Sequence, residues 1–193
     1  MNDKIAALRA MKRDGRKIAG LVCWDSGTAQ LADAAGIDIV SVGDSGAGSL
    51  DELLVFCAAV RRGVERALVS CDLPEPSLDA ARRLAAAGAD LVKVEGVDHV
   101  RAIATAGFAV FAEITAADEA TPAEAAGAAL IDFRHSGPEA GAQAVAAVSI
   151  PVLGGLGGGP WLDGRIRAAH RLLDDALADY VGDVRAGRAV KGD

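Results

Sequence analysis

The chain has 193 residues, of which 51% are apolar and only 4% aromatic, and its net charge is −7. So much apolar material excludes a disordered polymer, and the length predicts one domain over residues 1–193, with a core of Ala, Val, Leu and Ile. The acidic balance excludes nucleic acid as the main partner, and no apolar run approaches the roughly 20 residues of a membrane span, so a membrane is not expected either.

In chain order, Asn2–Met11 reads as an amphipathic helix with Ile5, Leu8 and Met11 on one face. The basic run Lys12-Arg13-Asp14-Gly15-Arg16-Lys17 is broken by an acid and reads as a solvated turn. From there, short β-rich runs alternate with Ala-rich helical ones. The predicted strands are Ile18–Cys23, Ile37–Val42, Arg66–Cys71, Leu91–Val94, Phe108–Ala112, Ala129–Phe133 and Ile150–Leu153. The predicted helices are Thr28–Ala35, Leu50–Arg62, Ser77–Ala87, Val97–Ala106, Pro122–Ala126 and Pro138–Val148. Gly36, Gly63, Gly88, Gly107 and Gly127 stand where helices stop, and Ser49, Ser77 and either Asp25 or Ser26 where they start.

A phrase recurs: Ala35-Gly36-Ile37-Asp38, Ala87-Gly88-Ala89-Asp90, Ala106-Gly107-Phe108-Ala109, Ala126-Gly127-Ala128-Ala129. Helix end, glycine turn and strand start repeat, which marks a βα architecture with parallel strands. The expected fold is α/β, a trimmed (β/α)8 TIM-type barrel with a degenerate last strand. Arg165–Leu173 is either that strand or simply a helix. A doubly wound open sheet is the alternative, weakened because Cys23-Trp24-Asp25-Ser26-Gly27 carries no glycine-rich dinucleotide turn. The last helix, Leu172–Val184, is expected outside the barrel or against a partner chain.

Three successive strands close on a carboxylate: Val42-Gly43-Asp44-Ser45, Cys71-Asp72-Leu73-Pro74 and Val94-Glu95-Gly96. Converging carboxylates suit a hard divalent cation such as Mg²⁺, which takes oxygen ligands and keeps several waters. Singly, each acid reads equally well as a helix cap. Cys23, Cys57 and Cys71 form no Cys-x-x-Cys pair, so zinc is poorly supported. They read as buried thiols in a reducing, cytoplasmic setting, with Cys23 and Cys71 near strand ends. Trp24 and Trp161 read either as pocket walls or as packing residues. The run Gly154-Gly155-Leu156-Gly157-Gly158-Gly159 reads as an anion cradle, a flexible turn or a close backbone approach. His99 and His170 fall in helix-like segments.

Together, Lys17-Ile18 through Trp24-Asp25, Val42-Gly43-Asp44-Ser45, Arg61-Arg62-Gly63, Arg66-Ala67-Leu68-Val69, Asp72-Leu73-Pro74, Lys93-Val94-Glu95-Gly96 and Ile150-Pro151-Val152-Leu153-Gly154 resemble the ketopantoate hydroxymethyltransferase family, within the phosphoenolpyruvate mutase and isocitrate lyase superfamily. The resemblance implies a homo-oligomeric (β/α)8 barrel that binds an α-keto acid with Mg²⁺, stabilises its enolate and adds a hydroxymethyl group from methylenetetrahydrofolate. It implies Asp44 and Asp72 as metal carboxylates, Glu95 as an outer metal carboxylate, Ser45 as the holder of the substrate carboxylate and Lys93 as the substrate-binding lysine. Chelation would acidify the neighbouring C–H, and Lys93 would add charge where the enolate oxygen develops.

The chain also departs from the family. The loop after Asp44-Ser45 and the segment Thr115–Pro122 are short. Glu113 stands in place of a histidine, and Arg134 in place of the family's glutamate base. A guanidinium stays protonated, so Arg134 is no base. It reads as a clamp for a second carboxylate or phosphate, as the partner of Glu113, or as a surface residue. Glu113 inherits the base role or forms the other half of a salt bridge; His135 is a further acid–base candidate. The expected function is Mg²⁺-dependent aldol-type chemistry on an α-keto acid. A lyase or aldolase acting on another keto acid, or a non-catalytic homologue with a retained metal site, is the alternative.

Overall fold

The computed structural model describes residues 3–43, 49–155 and 158–187. Eight strands, β1 (Ile18–Val22), β2 (Ile39–Val42), β3 (Leu68–Asp72), β4 (Leu91–Glu95), β5 (Val110–Ile114), β6 (Leu130–Phe133), β7 (Val152–Gly154) and β8 (Gly164–Ala168), alternate with helices. These are α1 (Asp3–Arg13), α2 (Ser26–Ala35), α3 (Leu50–Gly63), α4 (Leu78–Ala86), α5 (Val97–Thr105), α6 (Ala120–Ala125), α7 (Pro138–Ala147) and α8 (Ala169–Arg185). The strands close into a barrel in chain order. The fold is a (β/α)8 TIM barrel.

The expected degenerate last strand is regular. β8 spans five residues and pairs in parallel with β7 and, over its whole length, with β1. Its sequence, Gly164-Arg165-Ile166-Arg167-Ala168, hides it because Arg165 and Arg167 are exposed while Gly164 and Ile166 are buried. A strand with one wet face reads as polar when only apolar runs are sought.

Alternation along the strands sorts the core into two clusters. Ile18, Ile39, Leu68, Leu91, Phe111, Leu130, Leu153 and Ile166 fill the bore. Leu21, Val40, Val69, Val92, Ile131 and Val152 pack beneath the helices. Ile5 and Leu8 of α1 join the bore cluster, so α1 plugs the barrel's lower end. Three lysines fasten that plug. Lys4 Nζ donates to the carbonyls of Glu65 and Ala67, Lys12 Nζ to those of Val145 and Ile150, and Lys17 Nζ to those of Pro160 and Leu162. Lys12 also lies 2.9 Å from Asp163 with only 12% of its side chain exposed. The basic run expected as a solvated turn is thus in part a structural clamp.

Helix ends follow local chemistry. Asp25 caps α2 through the Thr28 N–H, and Ser49 with Glu52 forms a reciprocal capping box on α3. Among the described residues, no helix is long and apolar enough to cross a membrane.

Candidate active site

The strand that begins in the bore carries its period of two up to the mouth. Leu68, Ser70 and Asp72 share one face of β3; Leu91, Lys93 and Glu95 share one face of β4. Phe111 and Glu113 do so on β5, and Leu130 and Asp132 on β6, with Arg134 two residues further. Cross-strand register sets Asp72 beside Lys93, Glu95 beside Glu113 and Glu113 beside Asp132. Apolar packing below therefore hands over to a charged layer above, at the carboxyl ends of the strands, where TIM barrels keep their chemistry.

A cavity of about 340 Å³ opens there, lined by Gly43, Leu53, Asp72, Leu73, Pro74, Lys93, Val94, Glu95, Glu113 and Arg134. Lys93 is buried, with its ammonium 3.0 Å from Asp72 Oδ1 and 3.4 Å from Asp132 Oδ2. Arg134 Nη2 stands 2.8 Å from Glu113 Oε2, with both side chains only partly exposed. Burial pushes the Glu113 carboxyl above its ordinary value; Lys93 and Arg134 pull it back, and Asp132 and Asp72 push it further up. Gly43 has φ 142°, and a Cβ there would fall 2.1 Å from the Asp72 carboxyl. Only glycine lets the β2 end pass so closely over Asp72.

Of the residues singled out in the sequence, Asp72, Lys93, Glu95, Glu113 and Arg134 line this one cavity. Asp44 and Ser45 lie outside the described residues, one and two positions beyond Gly43. Trp24 is elsewhere. Its ring stacks on His170, with centroids 5.8 Å apart, in a groove between α2 and α8 that also includes Cys23. His135 is exposed, in the left-handed region at φ 53°, and takes no part in the cavity lining. His99 Nδ1 lies 3.0 Å from the Glu95 carbonyl. Gly159 abuts the Trp161 ring and Gly158 the Gly154 backbone. Those two glycines of the loop after β7 thus make close approaches.

Asp132 was the residue missed. Within Leu130-Ile131-Asp132-Phe133 it reads as an interruption of an apolar run. The available signal was its spacing of two from Arg134, which places both on the inward face. Among the described residues, no group of three or more His, Cys, Asp or Glu side chains gathers closely enough to hold a metal ion.

A family model described as ketopantoate hydroxymethyltransferase matches residues 2–117. A 3-methyl-2-oxobutanoate hydroxymethyltransferase from Xanthomonas campestris pv. campestris is 32% identical over 214 aligned positions, covering 88% of this chain and 79% of the relative. The chain belongs to the ketopantoate hydroxymethyltransferase family. It is therefore a member of an enzyme family, and the alignment is longer than its own 193 residues. The relative carries extra residues within the matched span, in keeping with the short connections read from the sequence. After β5 the connection is a tight turn in which the Glu119 carboxylate accepts from the backbone N–H groups of Thr115 and Ala116, each at 2.8 Å.

The barrel also resembles solved structures of the superfamily. One is 2,3-dimethylmalate lyase, a PEP mutase/isocitrate lyase superfamily member, with a TM-score of 0.70 at 14% identity, covering 95% of this chain and 88% of that one. Another is phosphonopyruvate hydrolase in complex with oxalate and Mg²⁺, with a TM-score of 0.64 at 18% identity, covering 98% and 90%. At these identities the likeness concerns the fold.

Proposed function

We propose that this protein carries out Mg²⁺-dependent aldol-type C–C bond chemistry on a small α-keto acid, the chemistry of its hydroxymethyltransferase relatives, with methylenetetrahydrofolate as the one-carbon donor. The observation that carries the reading is the grouping of Asp72, Lys93, Glu95 and Glu113 in one cavity at the mouth of the barrel. The donor chemistry fits the metal. Mg²⁺ is commonly held by only one or two carboxylates, with waters and substrate oxygens completing its shell. Asp72 faces the cavity with Gly43 packed over its carboxyl, and Asp44 is the next residue in sequence. Asp72 and Asp44 are assigned to the metal, and Glu95 to its outer hydration. When bound, Mg²⁺ polarises the keto acid's carbonyl and so lowers the acidity barrier at the adjacent carbon.

The chain's own residues do the rest. Ser45 holds the substrate carboxylate. Lys93, fixed between Asp72 and Asp132, presents positive charge where the carbonyl oxygen gains negative charge. Glu113 takes the proton from the carbon next to the carbonyl, a role for which a buried carboxyl of raised basicity is suited. The Arg134–Glu113 pair favours a second reading, in which a related lyase or aldolase reaction acts on a different keto acid.

The working unit is proposed to be a homo-oligomer. α8 leaves Leu172, Leu173, Leu177, Tyr180, Val181 and Val184 exposed along one helix, an apolar surface of the kind that marks an interface. Three free, buried cysteines suit a reducing, cytoplasmic setting.

Calorimetric titration with Mg²⁺ in the presence of 3-methyl-2-oxobutanoate tests the metal assignment. Binding is expected in the wild type and lost in the Asp44→Ala, Asp72→Ala double variant. Undiminished binding in the variant would move the metal elsewhere, and no binding to the wild type would overturn the Mg²⁺ reading.

A further inference from the structure

The mouth cavity is lined by two cations, and the fold uses them differently. Lys93 is sunk in the bore with its ammonium shared between Asp72 and Asp132. Its charge is committed to the buried Asp132 and the partly exposed Asp72, at the proposed metal end of the cavity. Arg134 stands at the other end, just past β6, with about a quarter of its side chain exposed (26%) and Nη2 on Glu113. Among the residues that line the cavity it stands furthest round the mouth from Asp72, because β3, β4, β5 and β6 follow one another around the barrel.

A guanidinium presents five N–H donors in a rigid planar fork, so it can serve two carboxylates at once, one along each edge. Its contact with Glu113 is made through Nη2, at 2.8 Å. A keto acid whose carboxylate and carbonyl sit at the Asp72 end passes Lys93 and directs its far end toward Glu113 and Arg134. A cation there has no function for an aliphatic tail, which gains nothing from a charged wall. It has one for a substrate that ends in a second anion. The mouth already gathers Asp72, Glu95 and Glu113, so a singly charged carboxylate is better tolerated than a doubly charged phosphonate.

We propose that Arg134 makes this barrel selective for α-keto acids that bear a second carboxylate, four- or five-carbon 2-oxodiacids, over aliphatic keto acids of the same length. This rests on the reading that the mouth binds an α-keto acid with Mg²⁺. Arg134 is then a specificity-determining residue that touches the distal carboxylate, and Glu113 remains beside the carbon from which the proton leaves.

Calorimetry at saturating Mg²⁺ tests this with two matched pairs, oxaloacetate against 2-oxobutanoate and 2-oxoglutarate against 2-oxopentanoate. In the wild type the diacid of at least one pair is expected to bind about tenfold more tightly than its monoacid, equivalent to about 1.4 kcal/mol. Arg134→Gln should bring that ratio close to one, and Arg134→Lys should restore part of it, because a lysine keeps the charge without the fork. Monoacids that bind in an Asp72-dependent way, with no diacid preference in either pair, would overturn the assignment and leave the keto-acid reading standing. A preference that survives Arg134→Gln would also overturn it. If no keto acid binds at all, the keto-acid reading falls, and this inference with it.

Discussion

At the residue scale, the mouth holds two linked ion groups, and each makes a signed prediction. As the proposed base, Glu113 would act deprotonated, and its carboxyl lies above the ordinary value of 4.5, chiefly because of burial. Turnover should therefore fall on acidification at a higher pH than an exposed glutamate would give. Lys93 and Arg134 both hold that value down. Arg134→Gln removes one of these charges, so the acid limb of the kcat/KM profile should move to higher pH; an unmoved or lowered limb would contradict the base assignment. Beneath this pair, Lys93 separates Asp72 from Asp132, and the side chains of Lys93 and Asp132 are 4% and 5% exposed. Removing one partner of a buried ion group leaves uncompensated charge, so Lys93→Met should cost about 3 kcal/mol in urea unfolding at neutral pH. A cost within experimental error would mean that water reaches the group freely. These residues also mark the limit of the sequence reading. Asp72 and Glu95 were legible because each closes a strand, and Lys93, Glu113 and Arg134 through the family resemblance. Asp132 was not, because it sits inside one, and only its shared face with Arg134 betrays it. Trp24 stands two residues past β1, where Arg134 stands one past β6, and its ring stacks on His170 in a different groove.

At the element scale, seven strands and their helices were legible from a repeated helix–glycine–strand phrase. The eighth strand was obscured by two exposed arginines. The plugging role of α1 was visible only in part. Ile5 and Leu8 announce a buried face, but the lysine clamps depend on carbonyls as far as 145 residues away in sequence. Another long-range tie is equally silent in the sequence. Asp33, on α2, accepts the backbone N–H groups of Glu65, Arg66 and Ala67, and its own carbonyl accepts from the Arg66 guanidinium. This fixes the entry to β3, the strand that presents Asp72. Burial alone would raise the Asp33 carboxyl, but the three N–H donors and the Arg66 charge outweigh it and hold the carboxyl below the ordinary 3.8. Its stabilising contribution is thus fully present above that value and disappears as pH falls through the lower folded value. Asp33→Ala should lose about 2 kcal/mol at neutral pH, the scale of buried hydrogen bonds to a charged group. The difference from wild type should shrink in strong acid, and chemical denaturation at two pH values reads both.

At the scale of the whole molecule, the barrel is asymmetric. Its lower end is plugged by α1, its mouth is charged, and one side carries the apolar face of α8. Leu31 of α2, 74% exposed, borders the same groove as Leu172 and Leu173. If this surface joins copies of the chain, Leu173→Glu with Leu177→Glu should lower the light-scattering mass at micromolar concentration while leaving the circular dichroism unchanged. A monomeric mass for the wild type would remove the oligomer from the account. The central claim concerns the mouth, and proton exchange at C3 of an α-keto acid tests it most directly, followed by NMR in D₂O with and without Mg²⁺. Exchange should require Mg²⁺ and be abolished in both Asp72→Asn and Glu113→Gln. Exchange that persists unchanged in Glu113→Gln, or no Mg²⁺-dependent exchange with any mono- or dicarboxylic keto acid, would contradict that claim.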